Sequence, residues 1–305
     1  MSRAQRASGI WRAKVLLAVA LFAFAPRAAE ARRHPHRARP SKDLAPEKDP
    51  ALKGDAAAFA GAEIVLRAPL DLAQLDGTEV RIDLEVSKYA LAPGGAHAHL
   101  IVDNEPALEV DATGTFVLRG LRPGPHLLRA VLCRPWHEVV KARGAFSMVR
   151  FWLGPRLGGK AGKAAEYVAW PDPKKPLLTY LLPLGLPGRD AQPLALLAAP
   201  LARLDGAEQT SDGGTSDANA IDANATAQTG PPRLDFYLSN GKLDRRGDKL
   251  RIVLDRRELP LVTKWEPVLL HRAGPGAHRL SIDLLDRRGR KVKNALNRTD
   301  RSFER

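Results

Sequence analysis

Two histidines separated by a single residue are the clearest sign of chemistry in this chain. The segment AHAHLIVD (residues 96–103) has the composition of a β-strand. Because side chains alternate along a strand, His97 and His99 project from one face, with backbones about 7 Å apart. Such a pair binds zinc or copper when a neighbouring strand or loop supplies further ligands. In the segment CRPWHEVVK (residues 133–141), the candidates for those ligands are His137, Glu138 and Cys133.

Trp136 in the same segment offers a second interpretation. A tryptophan on a loop beside charged groups can form a binding platform for a sugar or a peptide, because one rigid ring gives a large contact area at little entropic cost. The competing interpretation is a tryptophan that closes the open end of a β-sandwich as part of its core.

No catalytic motif accompanies these residues. The sequence has no Gly-x-Ser-x-Gly turn, no phosphate-binding glycine loop and no paired carboxylates placed for a cleft. We therefore predict that the protein is not an enzyme and needs no cofactor, with zinc or copper as the alternative. The single cysteine, Cys133, has no partner for an internal disulfide.

An internal repeat shows which elements must position these residues. With a shift of 152 positions, residues 81–132 align without a gap on residues 233–284, and 13 of the 52 aligned pairs are identical. One shared motif would not give this number, and the repeated unit consists of short β-type runs broken by Gly and Pro. The sequence therefore predicts an all-β protein of two tandem immunoglobulin-like β-sandwiches related by internal duplication.

One histidine recurs in both copies. His126 and His278 each follow a Pro-Gly pair and precede a strand with core character. Because the second copy keeps this histidine while lacking its neighbours, we interpret both as structural residues whose ring bonds back to the turn backbone. Asp103 and Asp255 also coincide in the two copies and are assigned to the same structural set.

The duplication also predicts which face of each strand is buried, because core positions stay apolar in both copies while surface positions vary. Ala98, Leu100 and Val102 align with apolar residues, so they are predicted to point inward. His97 and His99 align with Lys249 and Arg251, so they are predicted to face solvent.

The first copy carries polar residues that the second copy lacks, since Trp136, His137 and Glu138 align with Arg288, Gly289 and Arg290. We therefore predict a surface binding site on the first domain. Its residues are Trp136, His137, Glu138, His97 and His99, of which His97, His99 and His137 are the metal ligands in the alternative interpretation.

Composition divides the chain into segments. Basic residues, an apolar run over residues 15–25 and a small-residue cleavage site predict a signal peptide over residues 1–31, cut after Ala31. The run is too short to span a bilayer, so no transmembrane helix is predicted. The further predicted segments are a basic disordered leader (32–60), two Ig-like domains (61–155 and 174–305), a linker between them (156–173) and a disordered insertion (204–232) in the second domain.

Charge narrows the class of partner. The net charge is +14, and basic residues concentrate over residues 32–42 and 286–301. Such ends attract anionic surfaces. Nucleic acid is not predicted as a partner, because the chain shows no zinc-finger spacing, recognition-helix pattern or basic strand interleaved with aromatic residues.

The segments HAHLIVDNEPAL, RPGPHLLRAVLCRPWHEVVK and NALNRTDRSFE together resemble a group of uncharacterised bacterial exported proteins with duplicated immunoglobulin-like domains. The resemblance covers residues 78–155 and 174–305, and it implies the fold and export but no catalytic residue. Together with the predicted signal peptide and the Ala- and Arg-rich composition, it implies a location in the periplasm or outside the cell.

We therefore predict a non-catalytic binding protein of the envelope, whose partner is an envelope component, either a protein or a glycan. The alternatives are a periplasmic protein that binds zinc or copper, and a structural spacer of an envelope assembly.

Overall fold

Four β-sheets and one short helix make up the described chain. The computed structural model describes residues 58–186, 194–199, 217–218 and 230–305. The strands are β1 (Glu63–Ala68), β2 (Ala73–Leu75), β3 (Glu79–Ser87), β4 (His97–Val102), β5 (Leu108–Val110), β6 (Gly114–Arg119), β7 (Gly124–Cys133), β8 (Phe146–Leu153), β9 (Leu177–Leu182), β10 (Ala195–Ala198), β11 (Asp217–Ala218), β12 (Arg233–Ser239), β13 (Lys249–Leu254), β14 (Arg257–Glu258), β15 (Val268–Leu269), β16 (Ala277–Leu285) and β17 (Arg298–Glu304). The α-helix is α1 (Gly159–Ala169), and a 3-10 turn (Arg143–Ala145) precedes β8.

The first sandwich consists of one sheet in the order β1-β3-β6-β10-β11 and a second in the order β2-β8-β7-β4-β5. Strand β10 pairs antiparallel with β6, although it follows the first strand of the second copy. This piece of the range predicted for the second domain therefore extends a sheet of the first.

The second sandwich consists of the sheets β15-β12-β9 and β14-β13-β16-β17. Its pairing repeats that of the first at the same shift of 152, because His97 pairs with Cys133 and Lys249 pairs with Leu285. The prediction of an all-β protein with two tandem immunoglobulin-like sandwiches is confirmed. Non-glycine residues with left-handed backbone also recur at this shift, in the pairs Lys88 and Asn240, and Asp103 and Asp255.

Several predicted segments fall partly or wholly outside the described residues. These are the signal peptide over residues 1–31, most of the leader over residues 32–60, and most of the insertion over residues 204–232, within which β11 lies. Helix α1 lies in the predicted linker. Within the described ranges, no helix combines the length and the apolar character needed to cross a bilayer.

Alternation of side chains builds a core inside each sandwich. Ala98, Leu100 and Val102 are buried as predicted, and they belong to the core of the first sandwich. Leu250 and Ile252 take the equivalent places in the second core. Burial of such side chains contributes about 1.5–3 kcal/mol each for the larger ones.

Strands β9 and β12 are buried on both faces, because the second sandwich packs against the first. One face of each strand supplies the second core, for example with Leu178 and Phe236. The opposite face supplies Leu181 and Tyr237 to the core of the first sandwich. This contact covers the outer side of β4 and β7, which would otherwise meet solvent.

The recurring histidine forms hydrogen bonds that stabilise the turn before β7 in the first copy and the turn before β16 in the second. His126 Nδ1 lies 2.8 Å from Asp103 Oδ2 and its Nε2 lies 2.7 Å from the carbonyl oxygen of Arg122. His278 makes the same two contacts, with Asp255 Oδ2 at 2.7 Å and with the Gly274 carbonyl at 2.8 Å.

Both aspartates also accept a backbone N–H, from Leu127 in the first copy and from Arg279 in the second. Because a carbonyl oxygen can only accept, the ring nitrogen that faces it carries the proton. A protonated imidazolium satisfies both contacts of each ring at once.

We expect the stability supplied by the second turn to depend on pH. The hydrogen bond to Asp255, followed by that to the Gly274 carbonyl, raises the pKa of His278. A raised folded-state pKa gives stability that is complete below about pH 6.5 and is lost as the pH rises through the raised value. Asp255→Asn should lower the free energy of unfolding by about 1 kcal/mol at pH 6 and by less at pH 8.5.

Urea unfolding at the two pH values measures this difference. The exposed residue Glu304 provides a control in Glu304→Gln. An Asp255→Asn variant that loses the same stability at both pH values would show that the imidazolium does not contribute.

Candidate metal site

His97 and His99 are buried, with 1% and 0% of their surface exposed. The prediction that they face solvent was wrong. The alternation itself holds, since both lie on the face of β4 opposite Ala98 and Leu100. That outer face is covered by the segment after β7 and by the second sandwich.

The second sandwich also covers the outer face of β7. Arg129, which pairs with Ile101 of β4, is fully buried and donates to Thr179 Oγ1 of β9 at 3.2 Å. Burial lowers the pKa of Arg129 to about 10. In the second copy no further domain covers the equivalent face among the described residues, and Lys249 and Arg251 there are partly exposed.

Three imidazole nitrogens meet beneath this cover. His97 Nε2 lies 3.1 Å from His99 Nε2 and 3.0 Å from His137 Nδ1, and the third side of the triangle is 3.3 Å. The structure thus brings together the three histidines predicted as metal ligands. One ligand atom from each of them and one from Glu109 all lie within 4.8 Å of one another.

Hydrogen bonds alone cannot satisfy this triangle. His97 Nδ1 lies 2.9 Å from the carbonyl oxygen of Gly95 and must donate to it, so a neutral His97 presents a bare Nε2 to the cluster. His99 Nε2 and His137 Nδ1 can each carry a proton or not, and in every combination at least one of the three contacts sets two lone pairs or two N–H groups against each other. A cation at the centre would use all three lone pairs.

The environment disfavours protonation of two of the rings, those of His99 and His137. Burial, reinforced by His97 and His137, holds the pKa of His99 well below its usual value. Burial also lowers the pKa of His137. Neutral imidazoles with available lone pairs are the form that binds metal ions.

Glu109 completes the cluster and was not predicted. It lies on β5 directly opposite His99 in the strand register, and its two carboxylate oxygens lie 3.8 Å from His97 Nδ1 and from His137 Nδ1. Its side chain is 30% exposed, so the cluster opens to the surface on this side. Cross-strand neighbours ten positions apart carry no spacing signal, so only the comparison with the second copy, where Leu261 stands, could have predicted Glu109.

His137 reaches the cluster with left-handed backbone, at φ +61°. This region is unfavourable for a residue with a Cβ, and such outliers concentrate at functional sites. The equivalent position of the second copy is Gly289, at φ +76°. The two loops share their backbone bonds, since His137 N–H donates to Arg134 O as Gly289 N–H donates to Asp286 O. The first copy therefore places a histidine where the inherited loop favours glycine.

None of the four positions can bind a metal in the second copy in the same way. The counterparts at the shift of 152 are Lys249 for His97, Arg251 for His99, Leu261 for Glu109 and Gly289 for His137. All four side chains of the cluster therefore differ between the first copy and the second.

Trp136 and Glu138 lie beside the cluster but do not join it. Trp136 is 46% exposed, and its Nε1 donates to Glu138 Oε2 at 3.0 Å. Glu138 is buried and accepts from Arg233 Nη1 of β12 at 2.9 Å, so its carboxylate is engaged by the second sandwich. The prediction that both belong to a ligand-binding surface stays a prediction.

Cys133 is also outside the cluster. Its thiol is fully buried on the outer face of β7, and burial raises the pKa of the thiol well above its usual value. A thiol in this state is a poor nucleophile and a poor metal ligand.

No protein-family model matches the chain, and no curated protein matches it. Among solved structures it is similar to fibronectin(III)-like modules of Clostridium thermocellum CbhA, at 12% identity and TM-score 0.24, covering 79% of this chain and 94% of that one.

It is also similar to SGBP-B of the Bacteroides ovatus mixed-linkage glucan utilization locus, in complex with a mixed-linkage heptasaccharide, at 12% identity and TM-score 0.20 over 79% and 70%. The central fibronectin-III array of RIM-binding protein gives 10% identity and TM-score 0.20 over 80% and 67%. Likeness at these scores does not indicate a ligand.

We expect His137→Gly to leave the stability of the metal-free protein unchanged or to raise it by up to about 1 kcal/mol, because glycine adopts this backbone without steric cost. His137→Ala should lower stability, since it keeps the Cβ and loses the ring contacts. Urea unfolding in the presence of EDTA measures both variants. A loss of more than about 1 kcal/mol in His137→Gly would show that the ring is a structural element of the core.

Proposed function

We propose that the protein binds one transition-metal ion, zinc in preference to copper, through His97, His99, His137 and Glu109. The observation that carries this proposal is the triangle of ring nitrogens with sides of 3.0–3.3 Å. Tetrahedral zinc with Zn–N bonds of 2.0–2.1 Å separates its nitrogen ligands by about 3.3 Å. The chain holds the three nitrogens almost at that spacing.

The same spacing favours zinc over Cu²⁺. A square-planar Cu²⁺ site would hold two of three nitrogens on opposite sides of the ion, about 4 Å apart. All three distances are shorter than this, so the nitrogens form one face of a tetrahedron. The Glu109 carboxylate lies where it can supply the fourth ligand, and its partial exposure gives the ion a path to the site.

The hydrogen bond of His97 to the Gly95 carbonyl supports the same assignment. Metal-binding imidazoles commonly donate their second ring N–H to a carbonyl or carboxylate, which fixes the orientation of the ring. His97 meets this condition with its Nδ1. We therefore infer a preformed binding site, and the role that follows is zinc binding without catalysis by an exported protein.

Calorimetric titration of zinc into EDTA-treated, tag-free protein tests the proposal. We expect one equivalent to bind the parent protein, and His137→Gly to weaken binding at least 100-fold, because one of three nitrogen ligands is removed. Glu109→Gln should weaken it less, since a partly exposed oxygen ligand can be replaced by water.

His271→Ala is the matched control, because His271 is an exposed histidine outside the cluster. Titration with Cu²⁺ in parallel checks the preferred metal. If neither ion binds, or if His97→Ala and His137→Gly bind as the parent does, the proposed function is wrong.

Three other functional predictions stay predictions. They are export, the binding of an envelope glycan or protein at Trp136, and contact of the basic ends with anionic surfaces. A role as a structural spacer is compatible with zinc binding, since metal sites can be purely structural.

A further inference from the structure

We propose that Asp235, on the second sandwich, is a positioning residue for the metal site of the first sandwich, so that zinc binding and docking of the two sandwiches stabilise each other. This inference rests on the zinc site proposed above and extends it to a regulating contact. It is carried by the contacts between β12 and the segment that bears His137.

Asp235 is fully buried and binds that segment directly. Its Oδ2 accepts the backbone N–H of Val139 at 2.7 Å, two residues after His137. Its Oδ1 accepts from Lys141 Nζ at 2.9 Å. One carboxylate therefore fixes both the backbone and a side chain of the loop that must hold His137 in its left-handed conformation.

Two neighbours of Asp235 on the same face of β12 also hydrogen-bond to this loop. Arg233 donates to Glu138 Oε2 at 2.9 Å, and Tyr237 Oη donates to the carbonyl oxygen of Ala142 at 2.9 Å. Alternate residues of one strand thus contact residues 138–142 in order. The position of His137 is consequently set by the other domain as well as by its own loop.

The first copy contains a matched residue with a different environment. Asp83 aligns with Asp235, and Arg81 aligns with Arg233. Asp83 lies on β3 with its side chain partly exposed, where it accepts from Thr115 Oγ1 at 2.6 Å and from Arg81 Nε at 3.2 Å. It has no contact with the metal loop among the described residues, which makes it the natural control.

Thermodynamic linkage makes the effect reciprocal. If docking of β12 favours the arrangement of His137 that binds zinc, zinc must favour docking by the same factor. Removal of a group that orients a metal ligand typically weakens metal affinity by about 10- to 100-fold. A residue that served only to hold the domains together would change stability without changing zinc affinity.

The first test compares the zinc affinity of the full-length parent with that of Asp235→Ala, Asp235→Asn and Asp83→Ala, well below their unfolding temperatures. We expect Asp235→Ala to bind about 10- to 100-fold more weakly. Asp235→Asn keeps an oxygen for the Val139 N–H and should lose about tenfold or less. Asp83→Ala should bind within twofold of the parent. The visible spectrum of bound Co²⁺ should lose intensity in Asp235→Ala, because the ligand geometry relaxes.

The main comparison of the second test uses only the parent protein, so it does not depend on a variant that folds. Hydrogen exchange of the parent protein with and without zinc should show slower exchange over residues 138–143 and 233–239, and His137→Gly should abolish the change. Slower exchange confined to residues 97–110, or full zinc affinity in a folded Asp235→Ala, overturns the coupling while zinc binding stands. Failure of the parent to bind zinc overturns the proposed function itself.

Discussion

Docking of the second sandwich against the sheet of β4 and β7 is the contact that determines the chemistry of this chain. It converts the outer face of an immunoglobulin-like sheet into an interior. In the second copy, the equivalent face is not covered by another domain among the described residues, and it carries ion pairs instead. There the carboxylate of Asp283 lies 3.0–3.5 Å from nitrogen atoms of Arg251, Lys291 and Arg298. These three cationic side chains remain partly exposed to solvent.

A buried face of polar residues must satisfy its hydrogen bonds within the protein, because an unsatisfied buried polar group costs about 1–3 kcal/mol. Most of this interface does so, for example through Asp235 with Lys141 and Val139. The exceptions include Arg129 Nε and the histidine cluster. The buried His99 Nδ1 has no hydrogen-bond partner among the described residues, and no distribution of protons satisfies all three contacts between the facing nitrogens. A bound cation would accept all three lone pairs, which is the physical reason for proposing a metal there.

The duplication made much of the fold predictable, because two copies of one pattern separate core positions from variable ones. The inward set of Ala98, Leu100 and Val102 and the repeated His126 turn follow from that comparison. The burial of His97 and His99 could not be predicted in this way. An alignment of the two copies does not show how one domain packs on the other, and the second domain is what covers these histidines. Glu109 did leave a signal. Its counterpart is Leu261, so asking which potential ligands of one copy lack an equivalent in the other would have found it.

The loop after β7 shows how small a change of sequence separates the proposed metal site from its counterpart in the second copy. Its backbone hydrogen bonds coincide with those of the loop after β16, so its shape was inherited with the duplicated sandwich. The residue at its left-handed position is glycine in one copy and His137 in the other. Glycine is the less strained choice, and a loop under selection for stability alone would be expected to retain it. The strain at His137 is therefore best explained by what its ring contacts, and those contacts are two other imidazoles held at zinc spacing by a face that the second domain covers.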